Sequence, residues 1–329
     1  MVKIAEGRLP NQTQQAQIDR RYGMFIHFGI NTFNNVEWSD GTLSADTYRP
    51  TAIDADSWVA NAKKAGMQYV IAITKHHDGF CMFHTQYTDY GVQSSPVTTD
   101  VIAEIAAACR RHGIALGLYY SLWDRHEECY KDDRRYLEFM KGQLTELLDG
   151  RYGDICELWL DGSWDKSPER WYVPELYDLV HELQPDCAFA VNHTIGSKCR
   201  LNCIKRLYFP DMYRQGMPIR YFPSDFRLCD PYFTRPGRTG DPKLYKHNGK
   251  LYYLPFEATV CMRTSGHWFW SDKYTESRPR TPEYIVEKYR HMREQDNLLV
   301  INVAPNRDGV QEPSDLEPLF AVAELIQKL

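Results

Sequence analysis

The stretch VIAEIAAACRRHGIALGLYY, running from Val101 to Tyr120, decides the fold class. Its first part, Val101 to Arg111, follows Thr98-Thr99-Asp100 and stops before Gly113. Short polar side chains cap the first free N–H groups of a helix, and glycine takes the left-handed turn that ends one. Its second part, Ile114 to Tyr120, is an apolar run rich in β-formers. The same pairing recurs on either side. Strand-like runs lie at Tyr22 to Ile30, Met67 to Ile73, Ile155 to Leu160 and Cys187 to Val191, with helix-like segments at Asp54 to Ala65, Lys131 to Leu148 and Glu169 to Leu183. Alternation of this kind predicts a parallel sheet with helices outside it. Near-continuous apolar strands fit a sheet buried on both faces. A barrel of eight such units needs roughly 250 residues, so the 329 residues here predict one α/β domain over residues 1–329, a TIM-like (β/α)8 barrel.

The rhythm breaks between Ile195 and Tyr253, where Pro210, Pro218, Pro223, Pro231, Pro236 and Pro242 and several glycines predict a long irregular insertion. Inside it, Asn248-Gly249 separates Lys243-Leu244-Tyr245 from Leu251-Tyr252-Tyr253, a hairpin signal. A last strand, Leu298 to Val303, precedes a closing helix.

The balance of 43% apolar and 25% charged residues is that of a globular enzyme. A net charge of −5 gives no electrostatic reason to bind nucleic acid or an anionic membrane. No apolar run reaches the ~20 residues of a membrane span, and Met1 to Gly7 lacks the apolar core of a secretion signal. Compartment and oligomeric state stay open. The nine cysteines are scattered, and Cys199 and Cys203 have no second pair at zinc-site spacing. No cofactor or metal is expected.

Chemistry-bearing residues gather at strand ends. His27 lies near the end of the first strand, with Glu37-Trp38 behind it, and the second runs into Lys75-His76-His77-Asp78. The third ends at Tyr119-Tyr120, with Trp123-Asp124 close by, the fourth at Trp159-Leu160-Asp161-Gly162 and the fifth at Asn192-His193. In a (β/α)8 barrel these ends share one rim. Alternation puts Trp159 and Asp161 on one face and Leu158 and Leu160 on the other. A carboxylate there is costly unless paired or used, so Asp161 is either a helix cap or buried ion-pair partner, or a reactive group. Hydrolysis of a glycosidic bond commonly takes two carboxyl groups. Glu257, in Leu254-Pro255-Phe256-Glu257-Ala258-Thr259, is the candidate partner, because an apolar setting raises a carboxyl pKa as an acid requires. Ion pairing with a residue such as Arg263 is the alternative, and Asp211, Asp225 and Glu37 are rivals. His76 and His77, adjacent on a strand, reach one metal ion only if the backbone turns there. Imidazoles and indoles suit a sugar ring, as donors to its hydroxyls and plates for its C–H face.

The segments Arg21 to Gly29, Val36-Glu37-Trp38, Lys75 to Phe80, Gly117 to Ser121, Leu158 to Gly162 and Asn297 to Pro305 with Asp308-Gly309 together resemble the retaining α-L-fucosidases of glycoside hydrolase family 29. The resemblance runs from about residue 20 to 310. It implies a barrel, a covalent fucosyl-enzyme intermediate and a fucosylated oligosaccharide or glycoconjugate as substrate. It places the nucleophile at Asp161 and the acid/base at Glu257, and lines the fucose pocket with His27, Glu37, Trp38, His76, His77, Tyr120 and Trp159. The Gly-Asn-Glu loop in which one subgroup carries its acid is absent, as is the β-sandwich usual after the barrel. A fucose-binding barrel with impaired catalysis, or a glycosidase for a similar sugar, are the alternatives.

Overall fold

The computed structural model describes residues 7–196, 214–231 and 241–328. Ten strands run β1 Tyr22–Ile26, β2 Tyr69–Lys75, β3 Ala115–Ser121, β4 Ile155–Asp161, β5 Ala188–Val191, β6 Arg227–Leu228, β7 Leu244–His247, β8 Lys250–Tyr253, β9 Phe256–Cys261 and β10 Leu298–Asn302. Eight of them form one parallel sheet in the order β5-β4-β3-β2-β1-β10-β9-β6. The two edges meet through other bonds: Asp225 N–H donates to Phe189 O, Thr194 N–H to Leu228 O, and Leu228 N–H to the Thr194 hydroxyl. The sheet is thus a nearly closed eight-stranded barrel. The remaining pair, β7 and β8, is an antiparallel hairpin turning at Asn248 and Gly249, both at positive φ (47° and 84°), the geometry that favours this dipeptide.

Helices follow the strands as the alternation predicts. The helix Val101–His112 is capped by the Asp100 carboxylate on Ala103 N–H and closed by Gly113 in the left-handed region. Helix Ala55–Lys64 takes its cap from Asp54, and helix Asp133–Leu148 from Asp132. Between this outer layer and the sheet lies the larger apolar core, in which Trp58, Trp171, Leu158 and Leu160 are fully buried. Each such side chain contributes roughly 1.5–3 kcal/mol.

A second, smaller core fills the barrel itself. Phe25, Tyr69, Ile71, Ile73, Tyr119, Trp159, Leu228 and Val300 point inward. Gly23 is required beside them, because a Cβ there would sit 2.6 Å from the Tyr69 ring. The first predicted strand stops short, at Ile26, and a helical turn, Ile30–Asn34, follows. Inside the predicted irregular stretch lies the two-residue β6, and directly after it comes the six-residue β9.

Candidate active site

Asp161 ends β4 on the inward face, level with Ser121 of β3 and two residues above Trp159. Its carboxylate is held by two neutral donors. The Tyr119 hydroxyl donates to Oδ2 at 2.9 Å, and the Asn192 amide donates to Oδ1 at 3.0 Å. The amide's orientation is fixed, since its own oxygen accepts from the N–H groups of His193 and Asp230. Burial and the neighbouring carboxylate push the Tyr119 phenol far up, so it remains a donor. No cation neutralises Asp161 among these contacts, and 12% of its side chain stays exposed. Gly162, at φ +72°, makes the turn that keeps this opening; a Cβ there would meet Trp123 at 2.6 Å. The helix-cap and salt-link alternatives for Asp161 are not what the geometry shows.

Three imidazoles cluster on the same rim, His77 next to this carboxylate and His76 and His27 beyond it. His77 Nε2 lies 3.7 Å from Asp161 Oδ2, while its Nδ1 is 2.7 Å from the Ser121 hydroxyl. That hydroxyl gives its hydrogen to Trp123 O, so His77 Nδ1 carries the proton and Nε2 is free to accept one from a ligand hydroxyl. His27 follows the same logic. Asn302 donates its amide N–H to Trp268 O and so offers its oxygen to His27 Nδ1 at 2.7 Å. His76 stacks flat on the Tyr119 ring, 5.6 Å away, and its Nδ1 is buried without a partner among the described residues. Burial drives His27 down to about 3 and lowers His76 and His77 as well. All three are neutral at pH 7, able to bond hydroxyl groups without carrying charge. His76 and His77 point the same way, 4.2 Å between ring centroids, because the chain turns after Lys75, closed by Gly79 N–H on His76 O. No group of three metal-ligating side chains forms among the described residues.

The rim is aromatic. Trp38 is 49% exposed and stacks on Trp164 at 6.1 Å, with its edge contact to Trp123 at 6.0 Å. Glu37 joins the rim from below: its carboxylate accepts from the backbone N–H groups of Trp268 (2.8 Å) and Phe269 (3.4 Å) and faces His267 at 3.3 Å.

Three of the expected site residues sit elsewhere. Tyr120 faces outward, donating to Gln143 at 2.7 Å beneath the Lys75 ammonium; its neighbour Tyr119 holds the inward position, since adjacent strand residues alternate. Trp159 is sealed under the cup, stacked on Tyr119 at 5.5 Å, so it supports the floor without opening to it. Glu257 is the larger correction. It begins β9 and lies level with Leu298 at the start of β10 and Leu228 of β6. It pairs with Glu157, four residues before Asp161 on β4, and accepts from Tyr69 OH at 2.8 Å. Four strand residues span roughly 13 Å, which places Glu257 at the opposite end of the barrel from Asp161. Burial, then the Glu157 charge, does raise its pKa well above the carboxylate range, but the residue is fully buried there. Of the rivals, Asp225 is structural, holding Tyr177 OH, Phe189 N–H and His181, and Asp211 lies outside the described residues, as do Cys199 and Cys203. In the Lys75 to Phe80 motif the roles divide: Lys75 is locked to Asp124 at 2.7 Å behind the sheet, and Asp78 holds Phe80 N–H.

The residues not singled out beforehand are Tyr119, Asn192, Trp164, Asp230, Trp268 and Asn302. Tyr119 and Asn192 were visible as strand-end residues. Trp268 and Asn302 become part of the site only once β9 and β10 are known to close the barrel beside β1.

The strand ends of this parallel barrel thus present a partly open carboxylate, three neutral imidazoles and several indoles on one rim, a lining that suits a sugar ring. Comparison with known proteins agrees. The α-L-fucosidase family model matches residues 8–328, and this chain belongs to that family. It is similar to α-L-fucosidase 1 of Arabidopsis thaliana, 35% identical over 317 residues, covering 92% of this chain and 57% of that protein. With mouse tissue α-L-fucosidase it shares 27% identity over 285 residues, 83% of this chain and 54% of the other. The solved α-L-fucosidase isoenzyme 1 from Paenibacillus thiaminolyticus superposes with a TM-score of 0.74 at 28% identity, covering 96% of this chain and 75% of that one. The chain thus spans a little over half the length of the curated relatives it matches.

Proposed function

We propose that this chain is an exo-acting α-L-fucosidase that cleaves terminal α-L-fucosyl linkages of glycans with retention. The observation that carries the reading is the state of Asp161. It is largely buried, held by a phenol and an amide, and keeps 12% of its side chain exposed beside the His77 imidazole. Two neutral donors orient a carboxylate without quenching it as a guanidinium would. His27, His76 and His77 are positioned to bond the hydroxyls of one pyranose, and Glu37 fixes the Trp268 segment that closes the cup over His27, 4.9 Å between rings. In the proposed reaction an Asp161 oxygen attacks the anomeric carbon, forming a fucosyl ester, and water then releases the sugar with its original anomeric configuration.

The test is turnover of an aryl α-L-fucoside with the first-formed anomer followed by NMR. The α-anomer is expected first, and Asp161→Asn should lower kcat by on the order of 10⁴-fold. Initial release of the β-anomer, or an Asp161→Asn variant with near-normal turnover, would exclude the assignment.

A further inference from the structure

With Glu257 at the far end of the barrel, a different carboxyl group among the described residues stands where a proton donor is needed. We propose that Asp230 protonates the departing oxygen and then activates the incoming water. This rests on the reading of Asp161 as nucleophile.

The placement comes from β6. Leu228 points into the barrel, and Asp230, two residues on, leaves the strand on the same side at the rim where Asp161 sits. Its backbone N–H donates to the oxygen of the Asn192 amide at 3.0 Å, and the same amide's N–H donates to Asp161 Oδ1 at 3.0 Å. One planar amide therefore joins the two residues, so the Asp230 nitrogen is within about 8 Å of the Asp161 carboxylate. Carboxyl groups that flank a glycosidic bond in retaining enzymes are ~5–5.5 Å apart, a separation this bridge allows. Asp230 Oδ1 accepts from the Thr259 hydroxyl, an inward residue of β9. Its other oxygen has no protein partner among the described residues, and the residue is only partly covered.

Its surroundings suit a proton carrier. Burial, and after it the charges of Asp161 and Glu37, hold the Asp230 carboxyl up to about 7, although Thr259 pulls the other way. The Tyr119 phenol and the Cys261 thiol also face it, both kept neutral by burial. The rival on this rim, Glu37, has its oxygens occupied by two backbone N–H groups and His267, which suits a carboxylate acceptor rather than a donor. In the first step the C1–O bond breaks as Asp161 bonds to C1, and the leaving oxygen takes the Asp230 proton. In the second, water bonds to C1 and loses its proton to the Asp230 carboxylate while the Asp161 ester breaks. Asp230 ends protonated, as it began.

The experiment compares wild type, Asp230→Asn and Asp230→Glu on a series of aryl α-L-fucosides from phenyl to 2,4-dinitrophenyl. For Asp230→Asn, kcat/KM should fall by ~100-fold or more on the phenyl substrate and by less than about tenfold on the dinitrophenyl one, which departs without a proton. Azide should restore turnover of the dinitrophenyl substrate and give α-fucosyl azide. The fall of wild-type kcat/KM as pH rises through about 7 should vanish in Asp230→Asn. Asp230→Glu, which keeps a carboxyl, should recover part of the phenyl rate. A uniform loss across the series, azide without effect and an unchanged pH profile would overturn the role of Asp230 while leaving the fucosidase reading intact. Wild-type protein that turns over no aryl α-L-fucoside would bring down both.

Discussion

The two ends of this barrel both hold carboxyl groups and use them differently. At the end where the strands begin, Glu157 and Glu257 face each other inside the sheet, with Tyr69 OH on one and Gln17 on the other. Their remaining oxygens have no other partner among the described residues, and a proton shared between them satisfies both. Burial, and for Glu257 the neighbouring charge, raise both pKa values. At the end where the strands finish, Asp161 receives two neutral donors and keeps an opening to solvent. A raised pKa in an apolar setting therefore does not by itself mark a catalytic group. What separates the two pairs is height along the strands: only the upper one shares a cup with groups that can bind a substrate.

The largest effect that sharpens this contrast is expected at Tyr119. Tyr119→Phe removes one of the two donors to Asp161 and should lower kcat by roughly 10–100-fold, since a hydrogen bond to a charged group is worth about 1.5–3 kcal/mol. Tyr120→Phe, one residue on but facing Gln143, should leave kcat within about twofold and cost about 1 kcal/mol of stability. Equal kinetic effects of the two would contradict the alternation on β3.

A smaller effect belongs to the lower end. Glu257→Gln imitates the protonated acid, able to donate to Glu157 and accept from Tyr69, so activity should be unchanged. The pH dependence of stability should differ. A carboxyl whose folded pKa is raised favours folding fully below its unfolded pKa, and that contribution is lost as pH climbs toward the folded value. Wild type should therefore weaken relative to Glu257→Gln from about pH 4.5 upward, by up to about 1.4 kcal/mol per pH unit, as read by denaturant titration at several pH values. Parallel curves would show that the pair does not hold its proton, and a large drop in kcat would return Glu257 to the active site.

Much of the fold was legible because helix and strand patterns alternate over the first 191 residues, and several helices carry their own stop or cap, as at Asp100 and Gly113. The hairpin at Asn248-Gly249 was legible from its turn chemistry. Strand β6 was not, since two residues show no periodicity and its link to β5 runs partly through the Thr194 and Asp225 side chains. The upper rim was legible from strand ends, which gathered His27, His76, His77 and Asp161. Glu257 misled because Leu254-Pro255-Phe256 reports burial but not height: the same apolar neighbours fit either end of a strand. Tyr120 misled because two adjacent tyrosines read alike until the register with Trp159 says which one points inward. Asp230 went unnoticed for the same reason as β6, the strand it follows.

The most direct test of the account is to capture the enzyme midway. Incubation with a 2-deoxy-2-fluoro-α-L-fucosyl donor bearing a good leaving group should slow ester breakdown enough for the labelled protein to be digested and sequenced by mass spectrometry. The account predicts one fluorofucosyl group, on the peptide that contains Asp161 and on that residue. A label on Glu257, on Asp230 or on any other side chain, in protein that turns over fucosides, would contradict it.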